Sequence, residues 1–245
     1  MERSAIVLST GLLFLAGMAG QSTQSVGMAR QVGPDARRLQ TGTFMYRDLD
    51  HDKDVGKTEI VIRELRGSGN FCFSANITGK FSQNWQSIAT SRFEPISAKL
   101  SFGEGTSIVP AFDLKYSSGK VAGFAFPRNA PATKRPVDAS VPAGTVDQRI
   151  DWAAVLASDL ETGREFEFNV YDPGTGVSRV VARVGSIERV RVPAGSFEAY
   201  RIVYRIEKTG GAETYQVLAS VRHVMVREEF PDGMVSELTG IGAVD

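Results

Sequence analysis

This chain of 245 residues has one cysteine, two histidines and two tryptophans. A single cysteine, Cys72, excludes an intramolecular disulfide, so the fold must stand on core packing alone. Flanked by Phe71 and Phe73 in a strand-like run, Cys72 reads as a small buried hydrophobe. With only His51 and His223 as histidines, general-base and metal-ligand chemistry has few residues to use. There is no Gly-x-Ser-x-Gly elbow and no His-Glu-x-x-His or Cys-x-x-Cys spacing. An excess of either charge is also missing, since 28 basic residues face 28 acidic ones. That balance argues against a nucleic-acid binder, which needs a basic surplus or stripe. The densest basic run, from Arg179 to Arg191, alternates with valines and reads as a strand with one solvated face. Long hydrophobic runs are lacking as well. The apolar stretch from Ala5 to Met18 is interrupted by Ser9, Thr10 and glycines, short of the roughly 20 apolar residues that span a bilayer.

That stretch has another reading. Arg3 precedes it, and Gly17 and Ala19 follow at the spacing of a signal-peptidase site, so residues 1–19 are expected to be a secretory signal cut after Ala19. A lipoprotein anchor would need a cysteine at the cut, and none is there. The expected compartment is therefore periplasmic or extracellular, with no transmembrane segment in the mature chain. Residues 20–40 are polar and aperiodic and are expected to be flexible, ahead of a single domain over 41–245.

From Thr41 onward, alternation with period two dominates. Strands are expected over 43–48, 57–65, 69–77, 96–102, 112–116, 121–126, 165–171, 179–192, 197–207, 214–229 and 234–238, joined by turns such as Ser118-Gly119, Pro173-Gly174 and Asp232-Gly233. In one of them Tyr200, Ile202, Tyr204 and Ile206 share a face, opposite Arg201, Arg205 and Glu207. Short spacings imply an antiparallel meander. One segment breaks the period. From Thr145 to Leu160, Ile150, Ala153, Ala154, Ala157 and Leu160 recur at helical spacing with Leu156 beside them. Thr145 with Gln148 fits a capping box. A helix is expected there, covering the concave sheet face. The proline-rich stretch 127–144 before it reads as an exposed loop.

The sharpest chemical motif runs from Asp48 to Glu59. Asp48, Asp50, Asp52, Asp54 and Glu59 occupy the carboxylate positions of a calcium loop, but Lys53 stands where glycine makes the sharp turn. The competing reading is a solvated acidic hairpin tip. His223 alternates with Val221 and Met225 and reads as a strand residue. Gly103-Glu-Gly105 and Gly174-Thr-Gly176 read as turns, because no helix start follows either. Glu228 with Glu229, or Asp159 with Glu161, can be drawn as acid/base pairs, yet carboxylates on alternating strands are ordinarily solvated. Trp85 and Trp152 read as core.

The segment Val192-Pro-Ala-Gly-Ser-Phe-Glu-Ala-Tyr-Arg201 resembles a family of exported bacterial proteins known as a domain of unknown function, number 3108. Val55-Gly-Lys57, Leu160-Glu-x-Gly-Arg164 and Val226-Arg-Glu-Glu-Phe-Pro-Asp-Gly233 extend the resemblance. It implies a mostly β fold, a curved antiparallel meander forming a half-barrel or open barrel around one central helix, similar to the half-barrels of periplasmic lipoprotein carriers. It implies no catalytic residues and no cofactor. The expected function is that of an exported non-enzymatic binding protein for an apolar or lipid-like molecule, with Ile150, Leu156, Leu160, Tyr200 and Tyr204 lining the cavity or packing the helix. The rival is a structural or protein-interaction module of the cell envelope with a filled core. The volume between helix and concave face separates the two.

Overall fold

A computed structural model of the protein describes residues 33–103, 105–126, 133–208, 211–220 and 222–243. The expected signal peptide and most of the expected flexible segment lie outside the described residues. Its last part does not: Ala36 and Leu39 are buried, and a short 3-10 turn, Ala36–Arg38, is held by Asp35 N donating to Ala157 O and Ala36 N donating to Ser91 O. The folded part thus begins ahead of Thr41, because two apolar side chains here reach the core.

Fifteen strands follow. They are β1 (Gly42–Asp50), β2 (Lys53–Leu65), β3 (Asn70–Gly79), β4 (Gln83–Ala89), β5 (Pro95–Phe102), β6 (Val109–Ser117), β7 (Lys120–Ala125), β8 (Arg135–Ser140), β9 (Val146–Asp147), β10 (Glu165–Asp172), β11 (Gly176–Val192), β12 (Gly195–Ile206), β13 (Ala212–Leu218), β14 (Met225–Glu229) and β15 (Met234–Gly242). All belong to one sheet in the order β8-β7-β6-β5-β4-β3-β2-β1-β15-β14-β13-β12-β11-β10-β9, antiparallel throughout except for β9 on β10. The two edge strands do not pair with each other, so the barrel is open.

Side-chain alternation sets which face turns inward. In β1, Phe44, Tyr46 and Asp48 are buried; in β12, Ile202, Tyr204 and Ile206 are buried while Arg201 and Arg205 stay in water. The outer face of β10–β12 carries an ion-pair ladder in which Arg179 contacts Glu167 and Glu207, Arg183 contacts Glu165, and Arg189 contacts Glu198. Those alternating charges are the solvated face read from the sequence. The Pro193-Ala194 turn joins β11 to β12, with Val192 opposite Gly195.

Besides the run 214–229, expected as one strand and divided into β13 and β14, three elements differ from expectation. β4 escapes the alternation rule because Gln83, Asn84, Gln86 and Ser87 give it few apolar residues. The proline-rich stretch contains β8, an edge strand, where Pro136 is tolerated next to a single neighbour. The third is the helix. Instead of running over 145–160, α1 spans only Asp151–Leu156. Thr145 donates its hydroxyl to Pro142 O and caps nothing, and Val146–Asp147 pair with β10 instead. The Asp147 carboxylate accepts from Arg149 N, a local turn that competes with helix. The apolar stripe is nevertheless real: Ile150, Ala153, Ala154, Val155, Leu156 and Ala157 are all buried in the main core. The sheet therefore carries one short helix that packs into its interior, not a long one that it wraps.

Where the sheet curls back on itself, side chains replace the missing strand pairing. Phe112, Leu114 and Val121 of β6 and β7 form a small core with Tyr171 of β10. The Tyr116 hydroxyl donates to the fully buried Asp147 carboxylate. Arg149 donates Nε to Asp147 Oδ1 (3.1 Å), Nη1 to Asp172 Oδ2 (2.6 Å) and Nη2 to Tyr171 O (3.2 Å), and its guanidinium lies 4.8 Å from the centre of the Phe112 ring. Burial works against its charge, but Asp147 and Asp172 hold the proton on, above the ordinary arginine range.

Candidate ligand cavity

Behind this seam the concave face of the sheet holds a cavity of about 350 Å³ that is open to solvent on one side. Its apolar wall comes from the concave faces of β2 to β5 and β12: Ile60, Ile77, Trp85, Leu100 and Ile206, completed by Trp152 of α1 and by Met225 and Phe230. Its polar end is built by Asp151, Tyr204, Glu213, Tyr215 and Glu228, with Tyr46 close by. A second space of about 270 Å³ shares Thr58, Ile77, Gln83, Phe230 and Ser236 with the first and continues to Val55, Lys80, Phe81, Asp232 and Met234. It forms a vestibule at the hairpin-tip end, with Phe81 48% exposed on its rim.

The strand register explains the polar end. Tyr215, Glu228, Ser236 and Asp48 are successive partners across β13, β14, β15 and β1, so they form one row on the inner face. Asp48 accepts from Thr58 Oγ1 at 2.7 Å and Ser236 Oγ at 2.6 Å; burial still pushes its carboxyl up. The Tyr204 hydroxyl donates to Asp151, which also accepts from Trp152 N at 2.7 Å. Burial pushes Asp151 up to about 7, and the Tyr204 and Trp152 donors only partly offset it. Burial likewise raises Glu213, and Glu228 well above the usual carboxylate range, with each other's charge adding to the shift of Glu228. The rings of Tyr204 and Tyr215 lie 5.3 Å apart, and the Tyr215 hydroxyl donates to Glu213 Oε2 at 2.7 Å.

Of the five residues expected at a cavity or helix contact, Tyr204 alone lines the cavity. Ile150 and Leu156 are core, Leu160 is buried at the core's margin, and Tyr200 packs against that core. Trp85 and Trp152 line the cavity rather than simply filling core. Glu228 turns inward, whereas its neighbour Glu229 pairs with Arg227 outside. Asp159 and Glu161 both pair with Arg164 at the surface. The signal for the polar end was present in the sequence as acids at inward parity: Asp48 with Phe44 and Tyr46, Glu213 with Tyr215 and Val217.

The calcium-loop carboxylates are not brought together. Asp48 is turned into the barrel; Asp50 pairs with Lys80 and His51; Asp52 and Asp54 are exposed; and Glu59 sits on the opposite face from Thr58, lining an outer groove. Among the described residues no group of three His, Cys, Asp or Glu side chains is placed to hold a metal ion. The reason is the fold itself, because a β-hairpin sends alternate side chains to opposite faces where a calcium loop coils them inward. Calorimetry with calcium is expected to give no sub-micromolar binding, and Glu59→Gln is expected to change nothing; tight binding lost in that variant would mean that the tip rearranges around the ion.

Neither histidine belongs to the cavity's polar end. His51 is exposed at the β1–β2 tip and 2.6 Å from Asp50. His223 is a link between segments rather than a β-strand residue: Nδ1 donates to Leu156 O, its N–H donates to Arg38 O, and its carbonyl accepts from Gln40 N. Burial lowers its pKa, which favours the neutral ring.

The fold has a solved counterpart. A crystal structure described as a β-barrel-like protein of domain of unknown function DUF1849 from Brucella abortus aligns with a TM-score of 0.52 at 12% identity, over 85% of this chain and 99% of that one. A crystal structure from Bacteroides fragilis described as having a YmcC-like fold aligns at 10% identity with a TM-score of 0.31, over 86% of this chain and 99% of that one. No curated protein matches the sequence. Among the described residues no helix is long and apolar enough to cross a membrane. Residues 43–239 match the protein family of unknown function DUF3108, and the chain belongs to that family.

Proposed function

We propose that the protein is an exported, non-enzymatic binding protein that holds a small lipid-like molecule in the barrel interior, its apolar body along Ile60, Ile77, Trp85 and Leu100 and its polar head among the tyrosines and carboxyls. The observation that carries this reading is the cavity of about 350 Å³ leading into the vestibule. Its size and its mixture of apolar wall and few convergent polar groups are those of small-molecule sites. The envelope module with a filled core has no use for such a space. The non-enzymatic reading rests on the placement of the histidines and of Cys72, which is buried apart from both. The export reading rests on the N-terminal sequence.

Trp85 and Trp152 are the only tryptophans and both face the cavity, so their fluorescence reports on its contents. Titration with octan-1-ol is expected to give a saturable change at one site per chain. Ala75→Phe, which fills the cavity from β3, and Gln83→Trp, which narrows the passage to the vestibule, are expected to weaken it. No saturable response, or an equal response in both filled variants, would overturn the cavity reading.

A further inference from the structure

The polar end of the cavity has more acceptors than donors. Tyr204 gives its hydroxyl proton to Asp151, Tyr46 gives its own to Met225 O at 2.9 Å, and Tyr215 gives its own to Glu213. The Tyr215 hydroxyl is also within reach of Glu228, but a phenol has a single proton. That one proton is shared between two carboxyls, Glu213 and Glu228, both of which line the cavity. Among the described residues no cation pairs with Glu228. Arg149 borders the cavity, yet its guanidinium points its donors at Asp147, Asp172 and Tyr171 O in the seam.

Three carboxyls on three elements, α1, β13 and β14, therefore converge on a space bordered by a single cation, Arg149, whose hydrogen bonds are committed to the seam. Buried charges without partners are held only by giving up the charge, that is, by keeping a proton. A ligand that brings its own cation removes that requirement. Aromatic side chains beside the acids, Trp152, Tyr204 and Tyr215, present the negative ring faces that favour an ammonium group. We infer that the ligand of this cavity is a cationic amphiphile, an apolar body ending in a protonated amine that donates to Glu228 and sits between Asp151 and Glu213. An ammonium group has three donors and no acceptor, matching a site with three acids and no free hydroxyl proton. A carboxylate-headed fatty acid would bring a further acidic group to the same three acids. This inference rests on the cavity reading and narrows it.

The groups that set the pH dependence are Asp151 of α1, Glu213 and Tyr215 of β13, Glu228 of β14, Tyr204 of β12, Tyr46 of β1 and Arg149; the lining from β2 to β5 and β15 contributes no titratable side chain, while the charges of Asp48, in the same row as Glu228, and of Asp232 act on Glu228 and Glu213. The acids keep protons at low pH and lose them more readily when an ammonium group is present. Amine binding should therefore release protons and tighten as the pH rises.

Calorimetry on the whole protein with octylamine, octan-1-ol and octanoate tests this, because the three probes share one chain and differ in the head. Near pH 8 octylamine is expected to bind roughly tenfold or more tighter than octan-1-ol, as charge-assisted hydrogen bonds exceed neutral ones, and octanoate weakest. Octylamine binding is expected to weaken toward about pH 5, with a heat that varies with the ionisation enthalpy of the buffer. Glu228→Gln, or Glu213→Gln should the first variant misfold, is expected to erase the preference for the amine. Equal binding of octylamine and octan-1-ol, tightest binding of octanoate, or a preference that survives in the folded Gln variant would overturn the amine assignment while leaving the cavity reading intact. No binding of any of the three would overturn both.

Discussion

Arg149→Met is expected to lower the free energy of unfolding by about 3–5 kcal/mol, the range for removing one partner of a buried ion pair. The side chain of Arg149 is 10% exposed and that of Asp147 is fully buried. Without the guanidinium, Asp147 keeps only the Tyr116 hydroxyl and the backbone N–H of residue 149, too little to replace its hydration. Asp172 and the Tyr171 carbonyl lose a donor too, and the Phe112 ring loses the group stacked over it. Urea denaturation measures the loss. Adding Asp147→Asn to Arg149→Met should restore part of it, since the stranded charge is removed with its partner. A loss below about 1 kcal/mol, at the level of a surface ion pair, would mean that the seam is held by apolar packing alone.

Leu156→Ala is expected to cost about 2–5 kcal/mol, as for other large-to-small core changes. Leu156 is 1% exposed, among Phe44, Ile62, Trp152 and Met225. The same substitution should leave octan-1-ol binding close to that of the unchanged protein, because the side chain does not border the ligand cavity. The sequence posed a filled core and a binding cavity as rivals. In the structure they coexist: α1 fills one part of the barrel with Ile150, Ala153, Ala154, Val155 and Leu156, and its first residues, Asp151 and Trp152, form the wall of the space beside it. A loss of under about 1 kcal/mol in Leu156→Ala, outside the range for core truncation, would make the helix a movable lid.

The strands were legible because alternation leaves a period in the sequence wherever one face is buried. Tyr200 to Ile206 is the clearest case, and β4, whose Gln83, Asn84 and Gln86 replace apolar residues, is the failure that the same rule predicts. The helix was half legible. Its apolar stripe is a property of the residues, but its length was decided by Val146 and Asp147 finding a partner in β10, a tertiary pairing with no local signature. The carboxylates show the same division. The spacing of Asp48, Asp50, Asp52, Asp54 and Glu59 suggested convergence, and hairpin geometry disperses them. Asp151, Glu213 and Glu228 are far apart in sequence and converge because register carries β13, β14 and the start of α1 to one end of the barrel. Parity marked two of the acids as inward; which other residues they would meet was set by the order of strands in the sheet.

That order has a consequence for how the chain acquires its shape. Each strand from β1 to β8 lies beside its sequence neighbour, and so does each strand from β9 to β15; β1 with β15 is the one pairing between the two ends of the chain. Read from β10 around to β8, the sheet is an antiparallel meander in which β15 would run on into β1 and the actual break in the chain falls in mid-sheet. The order is thus that of an up-and-down barrel whose first and last strands pair and whose opening falls between β8 and β9. Its longest single loop closure is the docking of residues 42–50 against residues 234–242. The two meanders have local contacts of the kind that form quickly, and the slow step of folding is the meeting of the ends.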